Sequence, residues 1–308
     1  MAGMRNVTMR QLQVFASAAR NLSFSRASEE LHLSQPAVSM QIRQLEESAG
    51  LPLFERSSKR LRLTHAGEEM TRYAQQMLLG LKDAEDTFLA LKGLKGGRIA
   101  IAVVSTAKYF APKMLALFSQ QHPEVEMRLL VNNREQVIQY LAGNEVDLAI
   151  MGTPSRKLDL IAESFARHPL VVIAPPNHPL ARRKRIPLGA LEGETFLVRE
   201  QGSGTRSAME RFFGDRGIQL AVGMEMNSNE TIKQSVMAGL GLSFLSQHTI
   251  GLELATSQLA ILKVEGTPVM RQWNLVHRQE KHLSPAADAF KKFVLAEGAA
   301  FLKHWPQG

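Results

Sequence analysis

The feature that most restricts the fold of this chain is one apolar stripe between residues 65 and 93. Apolar side chains recur there at helical spacing over about eight turns of a single predicted helix. The stripe consists of Met70, Tyr73, Ala74, Met77, Leu78, Leu81, Ala84, Phe88 and Leu91. Because a lone helix cannot cover so long an apolar face, the stripe predicts either a seam against another domain of the chain or a dimer interface.

A compact helical domain is predicted in front of the long helix. Helical periodicity predicts three helices, which cover about residues 9–20, 25–31 and 34–50. Ser34 is a suitable cap for the third helix, and Pro36 suits its first turn because a proline lacks the N–H that would be unpaired there. Residues 51–64 then alternate apolar side chains on both sides of a basic turn, as in a β-hairpin. These elements predict a winged helix-turn-helix over residues 7–64.

The pattern changes at residues 93–97, where Gly96-Gly97 marks a domain boundary. The predicted strands beyond it cover residues 99–104, 125–131, 146–151, 170–174, 195–198, 223–226, 242–245 and 273–277. The predicted helices cover residues 110–121, 135–142, 205–213, 230–238 and 286–297. This alternation predicts an α/β domain with mostly parallel strands, and its length of just over 200 residues suits two lobes.

Composition limits the classes of protein that remain. The chain has no Cys, so it has no disulfide framework, thiol nucleophile or Cys-based zinc site. Its first residues contain Arg5, Arg10 and Arg20 and lack the unbroken apolar stretch of a secretion signal. The longest apolar runs are strand-sized, well below the roughly 20 residues of a membrane span. We therefore expect a cytoplasmic protein that does not bind membranes.

The charge of the chain points to negatively charged partners. Its formal net charge is +8 at pH 7. Residues 1–64 carry nine basic against five acidic side chains, and residues 98–308 carry 24 against 19. A basic balance in both parts favours a polyanion as one partner and an anionic small molecule as another.

The third predicted helix presents a surface suited to reading DNA. Its N-terminal half would enter the major groove, as recognition helices do. Gln35 can contact an adenine edge, and Arg43 a guanine edge or a phosphate. The candidate base-reading residues are Ser34, Gln35, Pro36, Ser39, Met40 and Arg43. The alternative is an ordinary solvated helix face.

Three cations at the tip of the predicted hairpin form a candidate wing. Arg56, Lys59 and Arg60 stand where contact with phosphates or the minor groove is natural. The alternative is a charged turn that contacts only solvent.

Polar loops after several predicted strands indicate a cleft for an effector. Ligands in open α/β sheets bind at the carboxyl ends of strands, and free N–H groups at helix N-termini bind anions. The candidate effector-binding residues are Ser105, Thr106, Thr153, Gln201, Gly202, Ser203, Thr205, Arg206 and Asn227. Arg206 would supply a permanent charge and a fork suited to phosphate or carboxylate. The alternative for each residue is plain helix capping.

Signs of catalysis are lacking in the sequence. The segment Gly202-Ser203-Gly204-Thr205 is rich in glycine but lacks the ending of a phosphate-binding P-loop. The nine His residues are scattered and form no metal-ligand motif. We expect neither an enzyme nor a bound metal or cofactor.

A resemblance to a known family adds to this reading. The segments that carry it are residues 24–39 (FSRASEELHLSQPAVS), Ile42-Arg43, Leu45-Glu46, Leu53-Phe54-Glu55-Arg56, Leu63-Thr64 and Ala66-Gly67. They resemble the LysR-type transcriptional regulators. Two positions depart from that family's pattern, since Met40 and Gln44 stand where it often has Arg.

The resemblance implies an architecture for the whole chain. A winged helix-turn-helix would be followed by a linker and dimerisation helix over residues 65–97. Residues 98–308 would form a two-lobed α/β effector domain similar to periplasmic binding proteins. Lobe one would comprise residues 98–167 and 269–300, and lobe two residues 168–268.

A narrower resemblance concerns what is regulated. Residues 174–180 (APPNHPL) and 196–206 (FLVREQGSGTR) resemble regulators of Calvin-cycle carbon-fixation operons. This implies a transcriptional activator that binds double-stranded promoter DNA, itself as a homodimer or homotetramer, and RNA polymerase. It also implies a phosphorylated effector such as ribulose bisphosphate or NADPH. The alternatives are a regulator of another metabolic operon and, for residues 98–308 alone, a solute-binding protein.

Overall fold

The computed structural model describes residues 4–57, 60–91, 96–154 and 158–303. The chain divides into two compact units. One comprises Met1–Leu91 with Gly143–Glu145, and the other Lys92–Ala142 with Val146–Gly308. The first unit is helical apart from one hairpin, and the second is built on a large β-sheet.

The first unit contains the predicted helices and hairpin. Its helices are α1 Met9–Asn21, α2 Phe24–Glu30, α3 Gln35–Ala49 and α4 His65–Leu91, and its strands are β1 Phe54–Ser57 and β2 Arg60–Leu63. The hydroxyl of Ser34 accepts a hydrogen bond from the backbone N–H of Ala37 at 3.3 Å, and Pro36 lies in the first turn of α3. Gly50 ends α3 in the left-handed region, with φ of 70°. The sequence prediction of a winged helix-turn-helix is confirmed.

Phenylalanine and aliphatic side chains hold this unit together. Phe15 of α1 contacts Phe54 of the hairpin at a ring distance of 5.5 Å. Ile42 and Leu45 of α3 are fully buried in the same cluster, which extends to Met70 at the start of α4. Burial of each such side chain contributes roughly 1.5–3 kcal/mol. The helix-turn-helix and the first turns of α4 therefore share one core.

Four large side chains of the apolar stripe on α4 are exposed. The exposed fractions are 51% for Tyr73, 47% for Met77, 41% for Leu81 and 64% for Phe88. Large apolar side chains in a row on one helix face are typical of an interface. The helical unit itself therefore leaves these four side chains uncovered.

We predict that the double variant Met77→Asp/Leu81→Asp has a lower oligomeric state than the parent protein. Two carboxylates without partners would be buried in the apolar seam, and such burial is strongly unfavourable. Analytical ultracentrifugation measures the change. The control variant Gln75→Asp/Gln76→Asp adds the same charge to polar positions of α4 and should keep the parent's sedimentation. An unchanged oligomer in the first variant would place the interface elsewhere.

The second unit is a mixed α/β structure. Its strands are β3 Gly97–Val104, β4 Val125–Asn132, β5 Leu148–Met151, β6 Leu160–Ala174, β7 Thr195–Arg199, β8 Ala221–Met226, β9 Leu242–Ser246, β10 Ala260–Leu262 and β11 Val269–Arg278. Its helices are α5 Ala111–Gln121, α6 Arg134–Ala142, α7 Gly204–Gly214, α8 Asn229–Met237, α9 Gly251–Ala255 and α10 Pro285–Lys303. The predicted elements are present, most of them with small shifts at their ends. Strand β6 is the exception, since it begins at Leu160 and not at residue 170, and α10 continues past its predicted end at residue 297.

The strands form one sheet in the order β4-β3-β5-β11-β6-β9-β7-β8, with β10 paired to β6. Pairs at both ends of the sheet are parallel. The pairs that involve β6 and β11 are antiparallel. The prediction of mostly parallel strands is therefore wrong, because two long strands cross the centre of the sheet in opposite directions.

The length of strand β6 was underestimated from the sequence. It has 15 residues, whereas only residues 170–174 were predicted as a strand. Its first part carries Glu163, Arg167 and Pro169 among apolar residues and is partly exposed, so it lacks a continuous apolar run. Half-exposed strand segments give a weak signal in a single sequence.

Separate cores lie on the two sides of the crossing strands. The first half of the unit, from β3 to β5 with α10, packs around Phe110, Phe118 and Phe290. The second half, from β7 to β10, packs around clusters that include Phe196, Phe244 and Ile232. The lobe boundaries expected from the resemblance fall in or beside β6 and β11 and stay a prediction. Among the described residues, no helix is long and apolar enough to span a membrane.

Candidate functional site

The candidate DNA-reading face lies on helix α3. Val38, Ile42 and Leu45 are buried, and the opposite side of the helix is open to solvent. Five candidates are exposed and Ser39 is half-buried; the exposed ones are Ser34, Gln35, Pro36, Met40 and Arg43. The structure thus brings these residues together on one accessible surface at the N-terminal half of α3.

Gln44 has a structural role in the helical unit. Its side-chain oxygen accepts a hydrogen bond from Nε2 of Gln11 at 3.3 Å, which ties α3 to α1. Gln11 also closes the capping box of α1 with Thr8. At this position the chain thus carries an amide that links two helices of the unit.

The predicted wing is a two-stranded antiparallel hairpin. Arg56 pairs with Leu61 and Arg60 pairs with Ser57 across its strands. Lys59 lies outside the described residues. The contact of these cations with DNA stays a prediction.

A polar pocket lies in the second unit where the carboxyl ends of several strands meet. Its lining comes from the segments that follow β3 and β5, the starts of α6 and α7, the end of β7, and the crossing strands β6 and β11. The polar side chains that line it are Ser105, Thr106, Arg134, His168, Arg199, Ser203, Thr205 and Arg271. A cation-rich site at strand ends is the arrangement expected of an anion site.

Four of the candidate effector-binding residues line this pocket, namely Ser105, Thr106, Ser203 and Thr205. The structure does not place the other five in the lining. The carbonyl of Thr153 accepts a hydrogen bond from Nε of Arg134 at 3.3 Å, so this residue lies beside the pocket. Gln201 and Asn227 are exposed.

Gly202 permits a close approach of the two halves. Its φ of 81° lies in the left-handed region, and a Cβ there would stand 2.6 Å from a carboxylate oxygen of Glu135. A side chain at this position would be strained and would also push against α6.

Arg206 lies near the start of α7 and is bound by two carboxylates. Its guanidinium pairs with Glu210 at 2.5 Å and Glu225 at 3.4 Å, and it donates to the carbonyl of Arg199 at 3.1 Å. A glutamate one helical turn away is a natural partner for an arginine, so the charge of Arg206 is balanced locally. The cations of the pocket are other arginines, which the sequence analysis missed.

Arg199 is one of those arginines, and it is neutralised. It is 2% exposed and forms a bidentate pair with Glu200, at 2.7 Å and 2.8 Å. Two further N–H groups donate to the side chains of Asn229 at 2.6 Å and Ser105 at 3.0 Å. Because four of its five N–H donors are used, Arg199 organises the pocket and joins the end of β7 to the end of β3.

Further hydrogen bonds link the two halves beside the pocket. Nδ2 of Asn229 donates to the carbonyl of Ser105 at 3.3 Å. The hydroxyl of Tyr109 donates to a carboxylate oxygen of Glu230 at 2.5 Å. Burial and this carboxylate raise the pKa of Tyr109 well above its usual value, so the phenol stays a donor.

Arg134 and Arg271 are the two arginines of the pocket lining that have no carboxylate partner among the described residues. They donate to backbone carbonyls, Arg134 to Thr153 at 3.3 Å and Arg271 to Gly204 at 2.9 Å. Among the residues that the structure describes, neither forms a salt bridge. Burial lowers the pKa of both below the usual value, and neighbouring arginines lower it further, Arg211 in the case of Arg134. The attraction of an anion bound between them would offset the unfavourable free energy of their burial and mutual repulsion.

His168 forms part of an aromatic stack on the floor of the pocket. Its ring lies 3.9 Å from the ring of Trp273, at an angle of 14°. Nε1 of Trp273 donates to Nδ1 of His248 at 3.2 Å. Burial lowers the pKa of His168 well below 6.5, helped by the charge of Arg271, and burial lowers the pKa of His248 to about 4. Both rings are therefore neutral at pH 7.

We predict that the protein loses stability as the pH falls from 6.5 to 5. The pKa of each ring is lower in the folded than in the unfolded chain, so the unfolded state takes up the protons in this range. Each of His168 and His248 contributes up to about 2 kcal/mol to the loss. Melting temperatures at several pH values should fall less steeply for the double variant His168→Phe/His248→Phe. The control His65→Phe, at an exposed histidine, should keep the parent's slope; equal slopes for all three would contradict the prediction.

Comparisons with known proteins agree with this geometry. A family model described as the bacterial regulatory helix-turn-helix protein of the lysR family matches residues 9–68. Another, described as the LysR substrate binding domain, matches residues 92–299. Among the described residues, no group of His, Asp or Glu side chains is arranged to hold a metal ion.

Relatives and one solved structure extend the likeness. The RuBisCO operon transcriptional regulator of Allochromatium vinosum is 54% identical over 294 residues, which is 96% of this chain and 97% of the relative. The transcriptional regulator CbbR of Xanthobacter flavus is 47% identical over 303 residues, 98% of this chain and 91% of the relative. The regulatory domain of CcmR from Synechocystis PCC6803, in complex with 2-PG, is 42% identical with a TM-score of 0.63, and covers 65% of this chain and 96% of that one.

Proposed function

This chain belongs to the LysR family of bacterial regulatory proteins, and we propose that it regulates transcription of carbon-fixation genes in response to a small phosphorylated anion. We propose an anionic effector because two half-buried guanidiniums, those of Arg134 and Arg271, line the pocket and form no salt bridge among the described residues. We propose these genes because the Allochromatium vinosum relative, a RuBisCO operon transcriptional regulator, aligns with 96% of this chain.

DNA recognition is proposed for the exposed face of α3. The face combines an amide, Gln35, with a cation, Arg43, and an apolar side chain, Met40, which suit adenine, guanine and thymine edges in the major groove. A two-fold dimer through α4 would present two such helices, so the operator would be a pseudo-palindrome. A larger assembly and contact with RNA polymerase are part of the proposal.

The effector is proposed to be a small molecule with a phosphate group, as in 2-phosphoglycolate, the 2-PG bound to the CcmR domain. Guanidinium forks bind phosphate and carboxylate oxygens in pairs, and charge-assisted hydrogen bonds of this kind are strong. The hydroxyls of Ser105, Thr106 and Ser203 supply further donors around the same space.

The pocket has a suitable position for a switch. Ser105 and Arg134 belong to the first half of the second unit, which we call the effector unit, and Ser203 and Gly204 belong to its second half. A ligand that binds all of them favours the arrangement in which the halves are close, and so shifts the equilibrium between two states of the regulator.

We predict that Gln35→Ala lowers affinity for specific operator DNA by about 1–3 kcal/mol and leaves affinity for unrelated DNA nearly unchanged. The reason is that a lost base contact affects only the sequences that offer it. Fluorescence anisotropy with DNA from upstream of a RuBisCO operon, and with a shuffled sequence, measures both. Glu47→Ala, an exposed site in the C-terminal half of α3, is the control and should bind like the parent. If the affinity for both DNAs fell equally, Gln35 would contact only phosphates or would be needed only for folding.

We also predict that Arg134→Gln and Arg271→Gln each weaken binding of 2-phosphoglycolate about tenfold or more, because each removes a charge-assisted hydrogen bond. Isothermal titration calorimetry on the full chain measures the change. Arg206→Gln is the matched control, since its charge is already balanced by Glu210 and Glu225. If 2-phosphoglycolate still binds the Arg134 and Arg271 variants but no longer binds the Arg206 variant, the effector site lies at Arg206 and not in this pocket.

A further inference from the structure

A buried histidine in the pocket makes no hydrogen bond. His168 is 3% exposed, and among the described residues neither Nδ1 nor Nε2 of its ring has a partner. Buried polar atoms in folded proteins nearly always have a partner, and those that lack one are destabilising. The missing hydrogen-bond partner of these two nitrogens is therefore to be sought in a bound ligand.

The position of His168 on the sheet directs its ring at the pocket. His168 on β6 lies directly opposite Arg271 on β11. Residues opposite each other in antiparallel strands project from the same face, and both side chains line the pocket. The charged or titratable groups near the ring are Arg271 and His248, and Trp273 lies flat against it.

Packing alone does not account for a histidine at this position. The stack on Trp273 uses only the flat face of the ring, which a phenylalanine would also provide. His248, by contrast, uses its Nδ1 to accept the indole N–H of Trp273 and is thereby a structural residue.

We propose that His168 is a ligand-binding residue of the pocket, whose neutral ring donates a hydrogen bond to an oxygen of the same anionic group that Arg271 binds. This rests on the proposed function, because it concerns the phosphorylated effector of that site. The neutral state matters, since an uncharged donor adds a directional contact beside Arg271 without adding a third positive charge to Arg134 and Arg271. The ligand class is therefore one whose phosphate or carboxylate offers two oxygens side by side.

The proposal gives His168 opposite effects on stability and on binding. Without ligand, the open nitrogens are a cost to the folded state, so removing them does not weaken the protein. With ligand, the same nitrogens contribute to affinity. A purely structural histidine would lower stability when replaced and would leave affinity largely unchanged.

The test compares His168→Phe, His168→Asn, His248→Phe and the parent as full chains at pH 7.5, where the rings are neutral. Calorimetry gives the affinity for 2-phosphoglycolate, and thermal melting without ligand gives Tm. We expect His168→Phe to bind about tenfold or more weakly and to melt at the same or a higher temperature. His168→Asn, which keeps an N–H donor, should recover part of the affinity, and His248→Phe should lower Tm while binding like the parent.

Each other outcome counts against the assignment. A lower Tm with unchanged affinity in His168→Phe would make the residue structural. Unchanged affinity in both His168 variants, with loss in Arg271→Gln, would overturn the role of His168 and leave the proposed function standing. If the parent protein binds neither 2-phosphoglycolate nor inorganic phosphate, the phosphorylated effector and the role of His168 are both overturned.

Discussion

The effector unit depends on the antiparallel pairing of two long strands, β6 and β11, at the centre of its sheet. Their pairing runs from Leu160 opposite Arg278 to Leu170 opposite Val269, and each half of the unit attaches to one side of it. The same two strands place His168 and Arg271 in the pocket lining, with Trp273 stacked on the ring of His168. Because the connection between the halves also forms the floor of the pocket, a ligand there acts where the two halves join.

Charge balance separates the structural arginines from the two that we propose to bind the ligand. Arg199 and Arg206 are each matched by nearby carboxylates, Arg199 by Glu200. Arg134 and Arg271 are held by backbone carbonyls, which orient a guanidinium but do not neutralise it. Placing two cations near each other, partly out of water, is unfavourable until an anion arrives. An anionic effector that binds both arginines removes this unfavourable free energy, and we propose that it thereby favours the arrangement in which the two halves are close.

Sequence patterns predicted the local elements far better than the site. Ser34, Pro36 and Gly50 are local signals, and the helix they bound is where they indicate. The loop signals also pointed to Ser105 and Ser203, and both line the pocket. Arg271 and His168 were missed because their strands cross from one half to the other, a long-range pairing that leaves no local pattern. Arg206 attracted attention as an arginine at a helix start, and only its contacts reveal that Glu210 and Glu225 balance it.

The central claim is that an anion bound between the halves changes how the regulator holds its DNA. Footprinting of the full-length protein on DNA upstream of a RuBisCO operon, with and without 2-phosphoglycolate, tests it most directly. We expect the length of the protected region to change with the ligand in the parent protein and to stay constant in Arg271→Gln, which should still protect the DNA. A footprint that is the same with and without the ligand in the parent, at concentrations that saturate the pocket by calorimetry, would contradict the account.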